Sequence, residues 1–285
     1  MNIPIILSTG SLYNFDLDTA MALASEIGFA GLELVVDWRW ETHQPGHLEK
    51  LMSRHNLPIL ALHAPFSRGP IQGWPAEPVA IVKQSVHLAE ALGAQTVVVH
   101  PPERWVRFQA IVAGPHRTRK ISAPLPLAGP GQLGRWLWQD LADFQAKTQV
   151  KLTLENMPCR PFGPFKLEPF HFASLEQLNH FRYLTLDTTH LGTRRADPLA
   201  FYRQVKEKVI HVHLSNYNGR EHQLLDDGEL LLAPFLTALA QDSFAGLISL
   251  ELSPFSLRAD NEAALRQNLR DSLDFCRIAL RGEMI

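Results

Sequence analysis

Two cysteines in 285 residues, Cys159 and Cys276, are too few for a disulfide framework or a sulfur-bound zinc knuckle. No run of 18 apolar residues occurs, so no segment reads as a membrane span. The opening MNIPIILSTG has no basic stretch ahead of its short apolar run and does not read as a signal peptide; the expected setting is reducing and cytoplasmic. An excess of one charge is also missing. The formal net charge is −2 and the pI is near 6.7, which argues against a nucleic-acid partner, because phosphate binding wants a net basic face. There is no glycine-rich cradle of the P-loop or Rossmann type and no G-x-S-x-G elbow, so neither a nucleotide fold nor a serine nucleophile is indicated.

What the chain does have is a repeated ending. Six short apolar runs stop on a histidine or a carboxylate: PILALH at His63, TVVVH at His100, VKLTLE at Glu155, RYLTLD at Asp187, VIHVHL carrying His213, and LISLE at Glu251. With two further runs, strand-like segments fall near 3–8, 31–36, 58–63, 96–100, 151–155, 183–187, 209–214 and 246–251. They are rich in Val, Ile and Leu and mostly do not alternate with polar residues, as strands buried on both faces of a parallel sheet read. Helical stretches lie between them: 17–27 stopped by Gly28, 79–92 stopped by Gly93, and 175–181 opened by a Ser174/Gln177 capping box. A further helix starts at Asp197-Pro198. Eight strands alternating with helices predict one (β/α)8 barrel over residues 1–285, an open doubly wound sheet being the alternative. A hydrophobic fraction of 46% can fill its core.

One interval is too long. Between His100 and Lys151 the excess falls at 103–130, after the fourth strand, and a long insertion at that face suits a lid, a binding loop or an interface arm. It carries the densest basic cluster, His116, Arg117, Arg119 and Lys120, read as a solvated loop somewhat before an anion site.

Parallel barrel strands aim their C-terminal ends at one face, where such barrels do chemistry. Glu155, Asp187, His213 and Glu251 would end the fifth to eighth strands and converge there. Three carboxylates and one imidazole form a mostly hard ligand set, suited to Mn, Mg, Co or Zn. Such an ion could hold two vicinal oxygens of a polyol and stabilise an enediolate, while Glu155 and Glu251 remove and return the proton. His63 and His100, with Glu155 bridging, could hold a second ion, giving one or two per chain. His190 and His222 are candidates to ligate metal or touch substrate. His211 shares the face of His213 one layer deeper, and Glu33 reads as ligand-orienting or as a buried, paired carboxylate. Aromatic residues follow the second, third and fifth strands: Trp38, Trp40, Phe66, Trp74, Phe162 and Phe165. Trp38 and Phe66 are the substrate-stacking candidates, though loop aromatics also simply anchor loops.

The segments GFAGLEL, LHAPF, VVVHPP, LTLENMP, LTLDTTHLG, HVHLSN and SLELSP together resemble the xylose isomerase-like TIM-barrel superfamily over nearly the whole chain. That group includes sugar isomerases and epimerases, inosose dehydratase-like enzymes and endonuclease IV. In its isomerase and epimerase branch the resemblance implies one divalent ion on Glu155, Asp187, His213 and Glu251. The two glutamates handle the proton there, and His190 contacts substrate. In the endonuclease IV branch it implies three zinc ions, with His63, His100, His190 and His222 recruited. That branch places an Asp two residues before its loop histidine. Arg220 stands there instead, so a third site is expected to lose its carboxylate. The expected activity is therefore a metal-dependent isomerase or epimerase in carbohydrate metabolism, acting on a small sugar, keto-sugar or cyclic polyol. An inosose-type dehydratase, an endonuclease IV-like phosphodiesterase and a sugar-binding barrel are the alternatives. A homo-oligomer is left open.

Overall fold

The structure, a computed structural model, describes residues 3–66, 69–113, 118–126, 129–162 and 165–283. Eight parallel strands close into a barrel: β1 (Ile5–Ser8), β2 (Leu32–Val35), β3 (Ile59–His63), β4 (Thr96–Val99), β5 (Lys151–Glu155), β6 (Leu184–Asp187), β7 (Val209–Leu214) and β8 (Leu247–Leu250). The strands pair in sequence order around the ring, β8 meeting β1 to close it. This is the (β/α)8 architecture that the run of apolar segments predicts, and the open sheet is excluded.

Side-chain alternation decides what fills the barrel. Leu7, Leu34, Leu62, Leu154, Leu186 and Ile248 belong to the large apolar core, whereas Ile6, Ala61 and Leu247 form a separate small apolar cluster. Other buried positions within the strands are polar: Glu33, Thr153, Thr185, His211 and Ser249. Thr153, Thr185, His211 and Ser249 each stand two residues before one of the ligand-type endings Glu155, Asp187, His213 and Glu251.

Helices obey the local signals. α1 (Leu17–Ile27) starts at Asp16, whose side chain accepts from Thr19 N at 2.7 Å, and ends at Gly28 with φ 94°. The helix Pro78–Leu92 ends at Gly93, also left-handed. The Ser174/Gln177 capping box is present, but its helix stops at Leu178, three residues short of the expected 181. Thr188–Arg194, which follows β6 directly, is a helix of its own. Among the described residues no helix is long and apolar enough to cross a membrane.

The insertion after β4 is not a simple loop. Trp105–Ala113 and Thr118–Pro126 pair as an antiparallel hairpin through nine register pairs, so strands stand where a loop was expected. The pairing has a physical origin, since FQAIVA and KISAPL combine β-branched and apolar residues on both sides of a Gly-Pro turn signal. His116 and Arg117 lie outside the described residues, as do the side chains of Arg119, Lys120, Phe162 and Phe165.

Candidate metal centre

Asp187 ends β6 and at the same time caps the helix Thr188–Arg194. Its Oδ1 accepts from His190 N at 2.8 Å, so one oxygen is committed to the backbone. Oδ2 is buried and finds no hydrogen-bond partner among the described residues. A buried carboxylate oxygen without a donor is costly in a protein and natural beside a cation. Burial and the nearby charges of Glu155 and Glu251 outweigh the attraction of His190 and push the Asp187 carboxyl up to about 6.

His213, the register partner of Asp187 on β7, gathers the rest. Its Nδ1 lies 3.1 Å from Glu155 Oε1, 3.0 Å from Glu251 Oε2 and 3.8 Å from Asp187 Oδ2. Ligand atoms of Glu155, Asp187, His213 and Glu251 all fall within 4.8 Å of one another. Three carboxylate oxygens crowd one imidazole nitrogen. Burial works against a charge on His213, but Glu33, Glu251 and Glu155 together raise its pKa well above the ordinary histidine value. Burial likewise opposes ionisation of Glu155 and Glu251. Histidine charge wins in both, holding Glu155 well below the carboxylate range and Glu251 at about 2. Mixed hard ligands with an orphaned oxygen fit a divalent ion better than they fit one another.

His63 and His100 meet on the other side of Glu155. His63 Nε2 stands 3.1 Å from His100 Nε2, and the two approach Glu155 Oε2 at 3.5 and 2.9 Å. The alignment is not that of a hydrogen bond, since Oε2 remains unpartnered among the described residues. His63 Nδ1 is committed to the Ala64 carbonyl at 2.9 Å, which leaves Nε2 for the centre. Ligand atoms of His63, His100 and Glu155 lie within 4.8 Å of one another, so Glu155 belongs to two candidate ligand groups.

His190 and His222 also come to the mouth. His190 Nδ1 donates to the Asn156 carbonyl at 2.9 Å. Burial alone would lower His190, but Asp187 and Glu155 raise it to about 9. His222 sits at φ 59°, with Nδ1 3.1 Å from the Glu251 carbonyl. Arg220 holds the place where the resemblance expects a carboxylate, yet another carboxylate lies near these two histidines. Glu221, adjacent to His222 rather than two residues before it, brings Oε2 to 4.0 Å from His190 Nε2. The left-handed turn at His222 redirects the chain, so spacing counted along an extended segment does not hold. Arg220 instead lies 6.0 Å over the Phe255 ring.

Of the aromatic candidates, Phe66 belongs to the site: its half-exposed ring stacks on His100 at 5.1 Å and meets His63 edge-on at 5.0 Å. Trp38 is exposed at 69%, after β2. Trp40 leans on His47 of the helix Pro45–His55, and Trp74 packs against His43 and the core. Glu33 is buried and bonded to both His211 and His213, which fits either of its two readings. Two contributors are not apparent from strand endings. Glu221 is signalled only as an acid beside a loop histidine, and Asn156 only as an amide beside a strand-end glutamate.

A family model described as "Xylose isomerase-like TIM barrel" matches residues 21–277. An uncharacterized protein of Mycobacterium leprae (strain TN) is 32% identical over 288 residues, covering 98% of both chains. Among solved structures, a D-tagatose 3-epimerase-like protein superposes with TM-score 0.68 at 18% identity, covering 98% of this chain and 99% of that one. An AP endonuclease, family 2, from Brucella melitensis gives 0.67 at 17%, covering 94% and 97%. At such identities the two structures speak for the fold alone. The chain belongs to the xylose isomerase-like TIM-barrel family.

Proposed function

We propose that this protein is a divalent-metal-dependent isomerase or epimerase of a small sugar, keto-sugar or cyclic polyol. The observation that carries the reading is the placement of Glu155 and Glu251. On the ring of strands β5 lies to one side of β7 and β8 to the other, so the two carboxylates reach His213 from opposite flanks. A bound divalent ion (Mn, Zn, Mg or Co) would hold vicinal substrate oxygens and stabilise charge as a carbon-bound proton leaves. Glu251, 22% exposed, is the carboxylate open to the mouth, and it removes the proton beside the substrate carbonyl. Glu155, 1% exposed and gripped by histidines, stands across from it and, entering the step protonated, returns a proton to the other face, while Glu251 ends the step protonated. Two opposed carboxylates permit inversion at carbon; one acting twice permits transposition of the carbonyl. His190, with Nδ1 fixed by Asn156, turns Nε2 toward the mouth to bind a substrate oxygen, beside His222. Phe66 and Trp38 are the aromatic surfaces against which the sugar's C–H face would rest. A small-molecule substrate and a cytoplasmic setting belong to the same proposal, with 103–130 as an arm at the catalytic face.

A second reading, phosphodiester hydrolysis on several ions, is favoured by the His63–His100–Glu155 and His190–Glu221–His222 groups on either side of the four-ligand site. Proton exchange separates the two. Protein loaded with Mn is incubated in deuterated water with a panel of ketoses and inosose-type polyols, and carbon-bound deuterium is read by NMR. Incorporation at one carbon of a panel member is expected. Its absence across the panel, together with cleavage of an abasic-site duplex, would put the hydrolase in first place.

A further inference from the structure

The side chain of Glu33 comes from β2, and β1 and β8 separate that strand from β7 on the ring. The carboxylate therefore reaches across the barrel interior rather than to a neighbouring strand. It meets two histidines of β7: Oε2 lies 2.5 Å from His211 Nε2, and Oε1 and Oε2 lie 3.0 and 3.1 Å from His213 Nε2. Glu33, His211 and His213 are all fully buried. His211 Nδ1 has no partner among the described residues, so its proton sits on Nε2, facing Glu33. With a carboxylate as acceptor, His213 likewise donates through Nε2.

We infer that Glu33 is a positioning residue for the metal centre, locking the His213 ring with Nε2–H turned inward and Nδ1 presented to Glu155, Asp187 and Glu251, and that His211 holds Glu33 in that pose. The inference rests on the metal reading of those four residues. Its physical basis is that an imidazole ligand has two distinct nitrogens, and a hydrogen bond at one decides which the cation sees. Without an acceptor in the barrel interior, the His213 ring is free to turn about its Cβ–Cγ bond and replace Nδ1 with a carbon. His211 gives Glu33 a second donor, so the carboxylate does not have to follow His213 if that ring moves. The shared acceptor is what fixes both.

Glu33, His211 and His213 also lie close enough to one another to hold an ion themselves, and the test distinguishes that arrangement. Mn(II) alone is titrated calorimetrically into metal-free wild type, Glu33→Gln, His211→Gln and His211→Leu at near-neutral pH, each variant first checked for a cooperative melt. Glutamine at 33 can accept from one histidine but presents an amide donor to the other. The expected result is a loss of about 10–100-fold in affinity for Glu33→Gln with the number of ions unchanged. His211→Gln, which keeps a donor near the position of Nε2, should stay near wild type, and His211→Leu should fall between. Wild-type affinity in a folded Glu33→Gln overturns the inference while leaving the metal reading intact. So does a drop by one ion with the remaining affinity unchanged, because Glu33 would then be a ligand. A wild-type chain that takes up no ion overturns both together. Should Glu33→Gln fail to fold, the His211 pair decides: equal affinity in His211→Leu and His211→Gln contradicts the inference.

Discussion

Asn156 and Asp187 exchange two hydrogen bonds across the ends of β5 and β6. The Asn156 side-chain amide donates to the Asp187 carbonyl at 3.0 Å, and its oxygen accepts from Asp187 N at 2.8 Å. The pair is buried, so one amide fixes the backbone of one proposed metal ligand and stands next to another, Glu155. Asn156→Ala leaves both Asp187 backbone groups without their partner. A stability loss of roughly 2–4 kcal/mol is expected in urea unfolding, together with weaker Mn binding. Unchanged stability and affinity would show that the strand ends hold their places without the clamp.

The two glutamates are expected to separate binding from chemistry. Glu251→Gln retains an oxygen near the centre but cannot take a proton, so turnover should fall about 10²–10⁴-fold with a much smaller change in KM. Glu155→Gln should lose more, because Glu155 is common to two ligand groups and its replacement weakens both. Steady-state kinetics on the substrate identified by deuterium exchange reads both. Full activity in either variant would place the proton elsewhere.

Glu221 offers a carboxylate at the mouth, but its side chain is 42% exposed and 4.0 Å from His190. That is loose beside the buried four-ligand group, so no more than two tightly held ions per chain are expected. Elemental analysis after extensive dialysis counts them, and Glu221→Ala should leave the count unchanged. A third retained ion that disappears in Glu221→Ala would shift the assignment toward the hydrolase.

Packing makes its own prediction at Gly246, just before β8. A Cβ there would stand 2.1 Å from the Ile210 carbonyl oxygen, a backbone atom that cannot swing aside. Gly246→Ala should therefore cost about 3 kcal/mol or more, read as a lowered urea midpoint with the slope retained. A midpoint within error of wild type would mean that the β7 and β8 backbones shift freely.

Most of the barrel and much of the candidate centre were legible from the chain alone, for a geometric reason. Strand alternation and a shared C-terminal face turn six separate endings into one location, so Glu155, Asp187 and His213 could be placed together without coordinates. Gly28 and Gly93 marked helix ends because each adopts the left-handed backbone that terminates a helix. What stayed hidden depends on loop trajectory or on reach across the barrel. Glu221 approaches His190 from a loop where His222 adopts positive φ, and no spacing rule encodes that turn. Glu33 was visible as an inward carboxylate, but its partners on the far side of the ring were not. The hairpin after β4 was recognised as excess length and not as two strands, because its pairing is purely local and independent of the βα repeat.

The central claim is that Glu155, Asp187, His213 and Glu251 hold a divalent ion, and Asp187 tests it most directly. Its Oδ2 is buried without a hydrogen-bond partner among the described residues, while its Oδ1 caps the following helix. Asp187→Asn keeps an oxygen for the cap and removes the charge. Metal content of wild type and Asp187→Asn, purified in parallel and measured by elemental analysis, is the decisive comparison. The account predicts one fewer tightly bound ion per chain in the variant, with the melt still cooperative. Equal metal content in the two proteins would contradict it.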